Sequence, residues 1–380
     1  MTTELLALLS DLVAFPSLTP DSAGSLEYIA QFMQQLGAEA TWLKRNNTTN
    51  LIVSCGSGDA IFAFAGHVDV VPPGDIRLWQ GAEPFKLLQD GERLIGRGVA
   101  DMKGAIAAFL LALKRFLGQH HGASHKYRVL LLLTSDEEGS AEDGTKVIVE
   151  YLQQTKLRLN YCLVGEPSSV EVLGDTVKVG RRGSLTGELT VYGKQGHIAY
   201  PHLCINPIQQ ALPALAELSA LSWDTGNQYF PATSLQLANI NSGLGVTNVI
   251  PGYLTANFNF RYNNLHSAAE LKQKTADVLD KYQLNYQISW NNSAEPFLTA
   301  AGELSNYISS AIEAVCQIKP RLATDGGTSD GRFLIAVSDE IIELGLINAT
   351  IHQTNEATTV GDMQLLTEVY YNILCKVFNG

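Results

Sequence analysis

The sequence is poor in closely spaced cysteines, in positive charge and in long apolar runs. Its five cysteines lie far apart and include no CxxC pair. An odd number of scattered cysteines excludes a disulfide framework and is typical of proteins in a reducing compartment. The longest apolar run, 105–113, has nine residues and is too short to cross a bilayer. The first residues lack the basic start of a secretory signal. We therefore expect a cytoplasmic protein.

Lysine and arginine are outnumbered by acidic residues, 26 against 38, and the formal net charge is −12. An acidic chain without a cluster of basic residues is a poor partner for nucleic acid or for an anionic membrane surface. We expect neither kind of partner. The overall charge does not describe a site where carboxylates bind metal ions, because such ions reverse the local charge.

Length and composition predict a folded chain with more than one domain. With 380 residues, 46% of them apolar, the chain is long enough for two or three domains of roughly 150 residues each. In 1–178, short apolar runs alternate with helical patterns such as 3–14 and 105–116, and the alternation returns in 294–380. Strands that are apolar on both faces and alternate with helices predict an α/β domain with a mostly parallel sheet.

The segment 179–293 has a different pattern. Four stretches in it alternate polar and apolar residues with period two, as half-exposed strands do: 184–192, 234–240, 255–262 and 286–290. Two stretches have helical spacing: 207–221 and 268–282. The order β-α-β-β-α-β predicts a ferredoxin-like α+β domain inserted into the α/β domain.

Several residues that can bind metal stand next to predicted strands or helices. The candidates are His67 and Asp69 after the run 61–65, Asp101 before the helix at 105–116, Glu137 and Glu138 after the run 128–134, Glu166 after the run 161–164, and His352 in the C-terminal part. Because ligands gather at the carboxyl ends of strands in an open parallel sheet, we expect these side chains to converge. Imidazole and carboxylate groups together suit zinc and related divalent ions.

Taken singly, these residues are ordinary turn residues, and a lone H-x-D or D-E-E stretch is more often solvated surface than a site. Their joint placement favours a site. Two carboxylates ~4 Å apart repel by roughly 4 kcal/mol at an effective dielectric of 20. Four carboxylates around one pocket therefore require raised pKa values or cations, and two divalent ions would supply enough positive charge.

Longer segments strengthen this interpretation. GHVDVVPPG, GRGVADMKG, TSDEEG and GEPS resemble, in this order, the signature segments of the co-catalytic dizinc aminoacylase/carboxypeptidase family. VGRRGSLTGELTVYGKQGHIAYPH, TDGGTSDGRF and NATIHQTNE are similar to segments of those members that hydrolyse N-succinyl-LL-2,6-diaminopimelate. The resemblance covers the chain from about Leu5 to Leu374. It implies a zinc-peptidase-like catalytic domain, 1–178 with 294–380, and an inserted dimerisation and substrate-capping domain, 179–293.

The resemblance also implies a role for each candidate. The implied roles are Asp101 as the carboxylate that bridges two zinc ions, His67 and Glu166 as further ligands of one ion, Glu138 and His352 as further ligands of the other, Asp69 as the acceptor of the second ring N–H of His67, and Glu137 as the general base. Cobalt or manganese suits the same ligands. The implied reaction is hydrolysis of the succinyl amide by an activated water, which yields succinate and LL-2,6-diaminopimelate in lysine and diaminopimelate biosynthesis.

Substrate contacts and a homodimer follow from the same resemblance. The implied contacts are Arg181, Ser184, Tyr200, Asn248, Arg261, Thr328 and Asn348. His197 is implied to reach the partner subunit's active site and stabilise the oxyanion there. By itself, a histidine near a strand end is more often structural, and an arginine in an alternating strand is as often a surface residue. Asp325 stands where relatives usually have glycine, and its carboxylate would weaken anion binding.

Other functions remain as alternatives. Another N-acyl amino acid deacylase, such as an acetylornithine deacetylase, would have the same metals and a different acyl pocket. A non-catalytic dimeric binding protein of the same fold is disfavoured because all five implied ligands and the base are present. The glycine-rich stretch TDGGTSDGR lacks the lysine of a nucleotide-binding P-loop.

Overall fold

The computed structural model describes residues 2–120, 124–299 and 302–379. The chain divides into two units: the first comprises Met1–Gly180, Thr299–Ala323 and Ser329–Gly380, and the second comprises Arg181–Leu298 and Thr324–Thr328. No helix in the described ranges is long and apolar enough to span a membrane.

Helices and strands are numbered in chain order. The helices are α1 (Thr2–Ala14), α2 (Ser25–Gln34), α3 (Lys103–Gln119), α4 (Thr145–Gln154), α5 (Pro207–Ala220), α6 (Ala268–Lys281), α7 (Glu303–Cys316), α8 (Gly331–Leu334) and α9 (Val360–Asn379). The strands are β1 (Glu39–Arg45), β2 (Thr48–Gly56), β3 (Ile61–His67), β4 (Leu88–Asp90), β5 (Arg93–Ile95), β6 (Arg128–Thr134), β7 (Leu159–Val164), β8 (Thr176–Lys178), β9 (Gly180–Arg181), β10 (Gly183–Tyr192), β11 (Gly196–His197), β12 (Ser234–Ser242), β13 (Val249–Ile250), β14 (Tyr253–Tyr262), β15 (Tyr286–Ala294), β16 (Phe297–Leu298), β17 (Arg321–Ala323), β18 (Ser338–Glu343) and β19 (Ala357–Thr359).

The first unit is built on an eight-stranded sheet in the order β1-β2-β6-β3-β7-β18-β8-β17. At its centre, β6, β3, β7 and β18 are parallel neighbours. Towards one edge, β6 pairs with β2 and β2 with β1 in antiparallel fashion, and towards the other edge β18 and β8 are antiparallel. The predicted α/β fold is thus confirmed, with a mixed sheet that is parallel at its centre.

The parallel centre is apolar because helices cover it. Every residue of β3 except Gly66 is buried, as is every residue of β6 after Arg128. Phe64 of β3 stacks on Phe109 of α3 with ring centroids 4.1 Å apart, and Tyr370 of α9 meets Phe109 edge-on at 5.8 Å. Burial of such aromatic rings contributes much of the free energy that keeps helices on a sheet.

The second unit contains a four-stranded antiparallel sheet in the order β12-β14-β10-β15. Along the chain its main elements follow as β10, α5, β12, β14, α6 and β15, which is the β-α-β-β-α-β order predicted from the sequence. Every second residue of β14 is buried, and the buried set belongs to one core with residues of α5 and α6. The helices therefore cover one face of this sheet, and the period-two alternation in the sequence reflects that arrangement.

The second unit also takes in residues outside the predicted segment 179–293. Residues 324–328, predicted to belong with 294–380, group with it. Arg181 Nη1 donates to the backbone carbonyls of Asp325 at 3.4 Å and Gly327 at 3.3 Å. Thr324 Oγ1 donates to the carbonyl of Tyr229 at 2.5 Å. The boundary differs because these bonds form between positions far apart in the chain, which no local pattern reveals.

Candidate metal centre

Four candidate side chains follow three adjacent parallel strands. His67 is the last residue of β3, Glu137 and Glu138 follow β6, and Glu166 lies two residues beyond β7. Because β6, β3 and β7 are neighbours that run the same way, their carboxyl ends meet at one edge of the sheet. The Nε2 atom of His67 lies 3.6 Å from Oε1 of Glu166. The ligand atoms of His67, Glu137 and Glu166 all lie within 4.8 Å of one another.

Asp101 and His352 reach the same place from loops. Oδ1 of Asp101 lies 3.2 Å from Nε2 of His67, and Oδ2 lies 3.2 Å from Nε2 of His352. Oε1 of Glu138 is 2.9 Å from the same His352 nitrogen. The two oxygens of Asp101 therefore face two different imidazoles, and each imidazole has a glutamate beside it, Glu166 or Glu138.

The carboxylate of Asp69 accepts hydrogen bonds from backbone N–H groups and not from the ring of His67. The acceptor 2.9 Å from Nδ1 of His67 is the backbone carbonyl of Asp69, whereas the Asp69 carboxylate is 3.7 Å away. That carboxylate accepts the backbone N–H groups of Glu137 at 3.4 Å and Glu138 at 3.0 Å. The expected side-chain contact to the ring is therefore corrected. Because β3 ends at His67, the residues after it are free to turn a carbonyl to the ring.

Two glycines make room for the loop that carries Asp101. A Cβ atom at Gly104 would lie 2.2 Å from the carbonyl oxygen of Val99. At Gly165, just before Glu166, it would lie 2.6 Å from both Met102 Cε and Phe64 Cζ. Glycine is thus required at these positions by close approach. Met102 itself is fully buried, and its Sδ accepts the backbone N–H of His67 at 3.4 Å.

The carboxylates attract positive charge strongly to both histidines. Burial lowers the pKa of His67, but the hydrogen bond to Asp101 and the charge of Glu166 outweigh it and raise that pKa well above its usual range. Hydrogen bonds to Asp101 and Glu138 raise the pKa of His352 to about 10. The side chain of His67 is 1% exposed and that of His352 is 50% exposed. In each case the local field favours a cation at the Nε2 atom.

The pKa values of the remaining acidic groups are shifted in opposite directions. Burial and the charge of Glu166 raise the pKa of Glu137 well above its usual range. Burial likewise raises the pKa of Asp330 to about 6. For Asp101 burial also acts to raise the pKa, but hydrogen bonds with the two histidines lower it below the usual range. Asp101 therefore stays ionised while Glu137 readily holds a proton.

The donor set fits a pair of divalent cations. The five carboxylates of Asp69, Asp101, Glu137, Glu138 and Glu166 outnumber the two imidazoles, so negative charge remains when both rings and Glu137 are protonated. Nearby cations are engaged elsewhere: Arg97 pairs with Glu356 at 2.7 Å, and Lys103 Nζ donates to the Phe15 carbonyl at 2.8 Å. Imidazole nitrogen and carboxylate oxygen are the ligands of zinc and similar ions.

Sequence reasoning missed Glu356, which lies four residues after His352 in NATIHQTNE. Its side chain is fully buried and bonded to Arg97 and to backbone N–H groups that include that of Asp101. The sequence signal for Glu356 was its position close to the candidate ligand His352. The sequence could not reveal the partners of Glu356, because they lie more than 250 residues away along the chain.

Burial excludes Ser329 as a nucleophile. Residues 327–331 read G-T-S-D-G, which matches the G-x-S-x-G pattern of serine hydrolases. Ser329 is fully buried, and its hydroxyl donates to the carboxylate of Glu343. A nucleophile in that pattern must instead be exposed at the tip of its turn.

The predicted substrate contacts lie in both units. Of these, Asn348 is in the first unit, where its backbone N–H donates to the Ser169 carbonyl at 3.0 Å. Within the second unit, Ser184 of β10 lies opposite Arg261 of β14, so their side chains share one face of the sheet. Arg181 holds residues 325–327 as described above, and Thr328 follows directly after that stretch.

Two half-buried guanidinium groups lie near each other in the second unit. Burial lowers the pKa of Arg261, and burial together with the charge of Arg261 lowers the pKa of Arg182. Arg182 Nη2 donates to the Gly326 carbonyl at 3.2 Å, and its buried Nε has no partner among the residues described. Such a like-charged pair favours binding of an anion.

His197, Tyr200 and Asn248 form a separate, exposed group in the second unit. The ring centroids of His197 and Tyr200 are 5.7 Å apart, and His197 Nδ1 accepts the backbone N–H of Ala199 at 3.1 Å. The Asn248 carbonyl accepts the N–H of Ile198 at 3.1 Å. Tyr200 is 56% exposed. These residues present their side chains at the surface of their own unit.

Known structures share this fold over nearly the full length of the chain. An aminopeptidase PepT from Bacillus cereus has a TM-score of 0.82 at 18% identity, with 99% of each chain covered. An M20 family metallo-carboxypeptidase from Sulfolobus solfataricus has a TM-score of 0.81 at 17% identity, again with 99% of each chain covered. A dinuclear metal-binding peptidase of the M20 family from Bacillus subtilis has a TM-score of 0.72 at 14% identity, with 100% of this chain and 98% of the other covered. At these identities the likeness concerns the fold.

Membership of a family rests on the sequence itself. The family model described as peptidase family M20/M25/M40 matches residues 63–376, which include every candidate ligand. With the clustered imidazole and carboxylate groups, this match identifies the chain as a hydrolase with a metal-binding centre that belongs to peptidase family M20/M25/M40.

Proposed function

We propose that the chain is a dimetal amidohydrolase that removes the succinyl group from N-succinyl-LL-2,6-diaminopimelate, the activity of a succinyl-diaminopimelate desuccinylase. The observation that carries the metal chemistry is Asp101, whose two oxygens face His67 and His352 at 3.2 Å each. Support for the substrate is the resemblance of VGRRGSLTGELTVYGKQGHIAYPH, TDGGTSDGRF and NATIHQTNE to segments of enzymes with that activity. Those segments are more specific than the metal motifs alone.

Five residues would hold two zinc ions. Asp101 would bind both, His67 and Glu166 would complete the set around one, and Glu138 and His352 would complete the set around the other. When bound, the ions supply positive charge that acidifies a water molecule and polarises the scissile carbonyl. The nitrogen and oxygen donors also suit cobalt or manganese.

Glu137 is the proton carrier in this proposal. Its carboxylate takes a proton from the attacking water and returns it to the leaving amine nitrogen, so it alternates between base and acid. That alternation requires a pKa closer to neutrality than a surface glutamate has, and burial raises the pKa of Glu137 in this direction. The hydrogen bonds from the backbone N–H groups of Glu137 and Glu138 to Asp69 fix the position of this segment.

The second unit would bind the carboxylates of the substrate. N-Succinyl-LL-2,6-diaminopimelate carries several carboxylates, and charge-assisted hydrogen bonds to guanidinium groups suit them. Arg181 and Arg261 are the arginines expected from the sequence, and Arg182 stands beside Arg261 in the structure. Ser184 shares a sheet face with Arg261 and would add a hydroxyl.

We also propose that the chain forms a homodimer through the second unit and acts in the cytoplasm. Large apolar side chains are exposed on that unit, among them Leu203, Tyr253 and Leu244, the last at 73%. Exposed apolar groups in such number favour a contact with another protein surface. In the dimer, His197 would act on the partner subunit's substrate. The scattered cysteines, all free, agree with a reducing compartment.

Metal analysis combined with a paired substrate assay tests the proposal. The purified protein should hold two divalent ions per subunit and cleave N-succinyl-LL-2,6-diaminopimelate faster than acetylornithine. Faster cleavage of acetylornithine would contradict the proposed substrate but not the proposed metal chemistry. Full activity after exhaustive chelation would overturn the metal chemistry itself.

A further inference from the structure

We propose that Glu356 is a positioning residue that fixes Asp101 and His352 relative to each other and thereby sets the affinity for the ion these two share. The inference rests on the proposed dimetal function. Glu356 touches neither imidazole in the contacts described above, so it would act through the two ligands.

The carboxylate of Glu356 holds the backbone that presents Asp101. Oε1 accepts the N–H groups of Ala100 at 2.9 Å and Asp101 at 3.0 Å. Oε2 accepts the N–H of Gly98 at 3.0 Å and a guanidinium N–H of Arg97 at 2.7 Å. The residue is fully buried. Four donors on one carboxylate leave the loop 97–101 little freedom to shift.

The same residue anchors the loop that presents His352. Its backbone carbonyl accepts the N–H of Gly96 at 3.0 Å. Thr350 closes the loop, since its hydroxyl donates to the Ala357 carbonyl at 3.0 Å and accepts the Ala357 N–H at 2.9 Å. Glu356 is thus the point at which the His352 loop and the Asp101 loop are joined.

The other half of the centre is held differently. His67 ends β3 opposite Thr134 of β6, and Glu166 follows Gly165, whose N–H donates to the Ala65 carbonyl of β3 at 3.0 Å. Loss of the Glu356 carboxylate would leave these contacts in place, but it would loosen Asp101, which serves both ions, and its link to the His352 loop, which serves only one. The effect should therefore be asymmetric. The ion shared by Asp101, Glu138 and His352 should bind more weakly. The affinity for the ion shared by Asp101, His67 and Glu166 should change less.

Glu356→Gln is the variant that tests this asymmetry. The amide keeps the shape but replaces one acceptor oxygen by an NH2 group, which would face backbone N–H donors and leave them unpaired. Metal-free protein is titrated with Co2+ and followed by visible absorption and calorimetry, which need no substrate. We expect the affinity of one of the two binding steps to fall roughly 10–100-fold, as it does when a residue that hydrogen-bonds to a metal ligand is lost. The affinity of the other step should change by less than about threefold.

Two further variants identify the affected step and control for general damage. His352→Ala should remove the same step that Glu356→Gln weakens. Asp175→Asn is the matched control, since the Asp175 carboxylate also accepts backbone N–H groups, those of Val170, Glu171 and Val172 at 2.7–3.1 Å, none of which is a candidate ligand. It should leave both steps as in the wild type.

The outcomes separate this inference from the proposed function. The positioning role would be overturned if the wild type shows two Co2+ binding steps and Glu356→Gln changes both equally or changes neither. Fewer than two steps in the wild type would instead overturn the dimetal function, and the inference with it. If Glu356→Gln does not fold, Glu356→Asp is measured in the same way, since a side chain one methylene shorter cannot reach all four donors and the same selective weakening is expected.

Discussion

The candidate ligands of the first unit and the exposed site residues of the second unit are held in opposite ways. In the first unit the candidate ligands contact one another, and His67 and Asp101 are buried together at 3.2 Å. In the second unit His197, Tyr200 and Asn248 are exposed, and their contacts are with neighbours on their own surface. The first unit therefore contains all five proposed metal ligands. The three exposed residues of the second unit are accessible from solvent.

This difference separates metal binding from substrate recognition. Substitutions at the cluster should change metal binding or proton transfer, and substitutions in the second unit should change catalysis with the metal content intact. Four variants test that division, in order of decreasing expected effect.

The largest effect is expected for Glu137→Ala. Loss of a general base lowers turnover by roughly 10²–10⁴-fold, while the metal content stays at the wild-type value because all five proposed ligands remain. Steady-state kinetics and metal analysis on the same sample measure both. Loss of an ion would show that Glu137, which lies with His67 and Glu166 in one cluster, is a ligand.

His197→Ala should have the next largest effect, although the residue lies in the second unit. Loss of one donor to an oxyanion lowers turnover by roughly 10²–10³-fold, with metal content unchanged. Mixing this variant with Glu137→Ala under conditions that exchange subunits should restore activity, since one of the two sites in a mixed dimer is then intact. Failure to recover activity in proven mixed dimers would contradict the shared site.

Asp69→Asn should lower metal affinity or turnover by roughly 10–100-fold, the range for partners of metal ligands. The cause is the loss of an acceptor for the backbone N–H groups of Glu137 and Glu138. The matched control in the second unit is Asp224→Asn, because Asp224 also accepts backbone N–H groups, those of Gly226 and Thr233. The control should lose stability but keep its metal affinity, and equal metal loss in both variants would remove the distinction between the units.

The smallest effect is expected for Arg261→Gln. An uncharged amide still donates hydrogen bonds, so the KM for the succinylated substrate should rise by roughly tenfold, which corresponds to about 1.4 kcal/mol. Metal content should not change. Arg158→Gln, which breaks an exposed ion pair with Asp339 in the first unit, is the control and should leave KM unaltered. An unchanged KM for Arg261→Gln would exclude a substrate contact there.

Elements with a buried face were predictable from sequence. The helical pattern at 105–116 is α3 (Lys103–Gln119), and the apolar run 61–65 is β3 (Ile61–His67). Both are periodic or apolar because the sheet centre is covered. The strand β1 (Glu39–Arg45) escaped prediction because it lies at the edge of the sheet and is at most half-buried, so its sequence carries no strong alternation.

Prediction of the site had a similar limit. The polar residues after β3, β6 and β7 were visible as candidates because a charge beside a buried strand is costly unless it is used. The bond between Glu356 and the backbone of Asp101 was not visible, nor was the contact of the Asp69 carboxylate with Glu137 and Glu138. These contacts join distant segments through backbone N–H groups, which carry no side-chain signal in the sequence.

The sequence by itself determined which residues could serve as ligands and which strands would be buried, because residue type and periodicity follow directly from burial. Only the tertiary structure decided that Asp101 turns one oxygen to each histidine and that Glu356 joins the loops which carry Asp101 and His352. Distances of about 3 Å between residues more than 200 positions apart depend on how the chain packs, since hydrogen bonds and ion pairs of that length form only where packing has already brought the partners together.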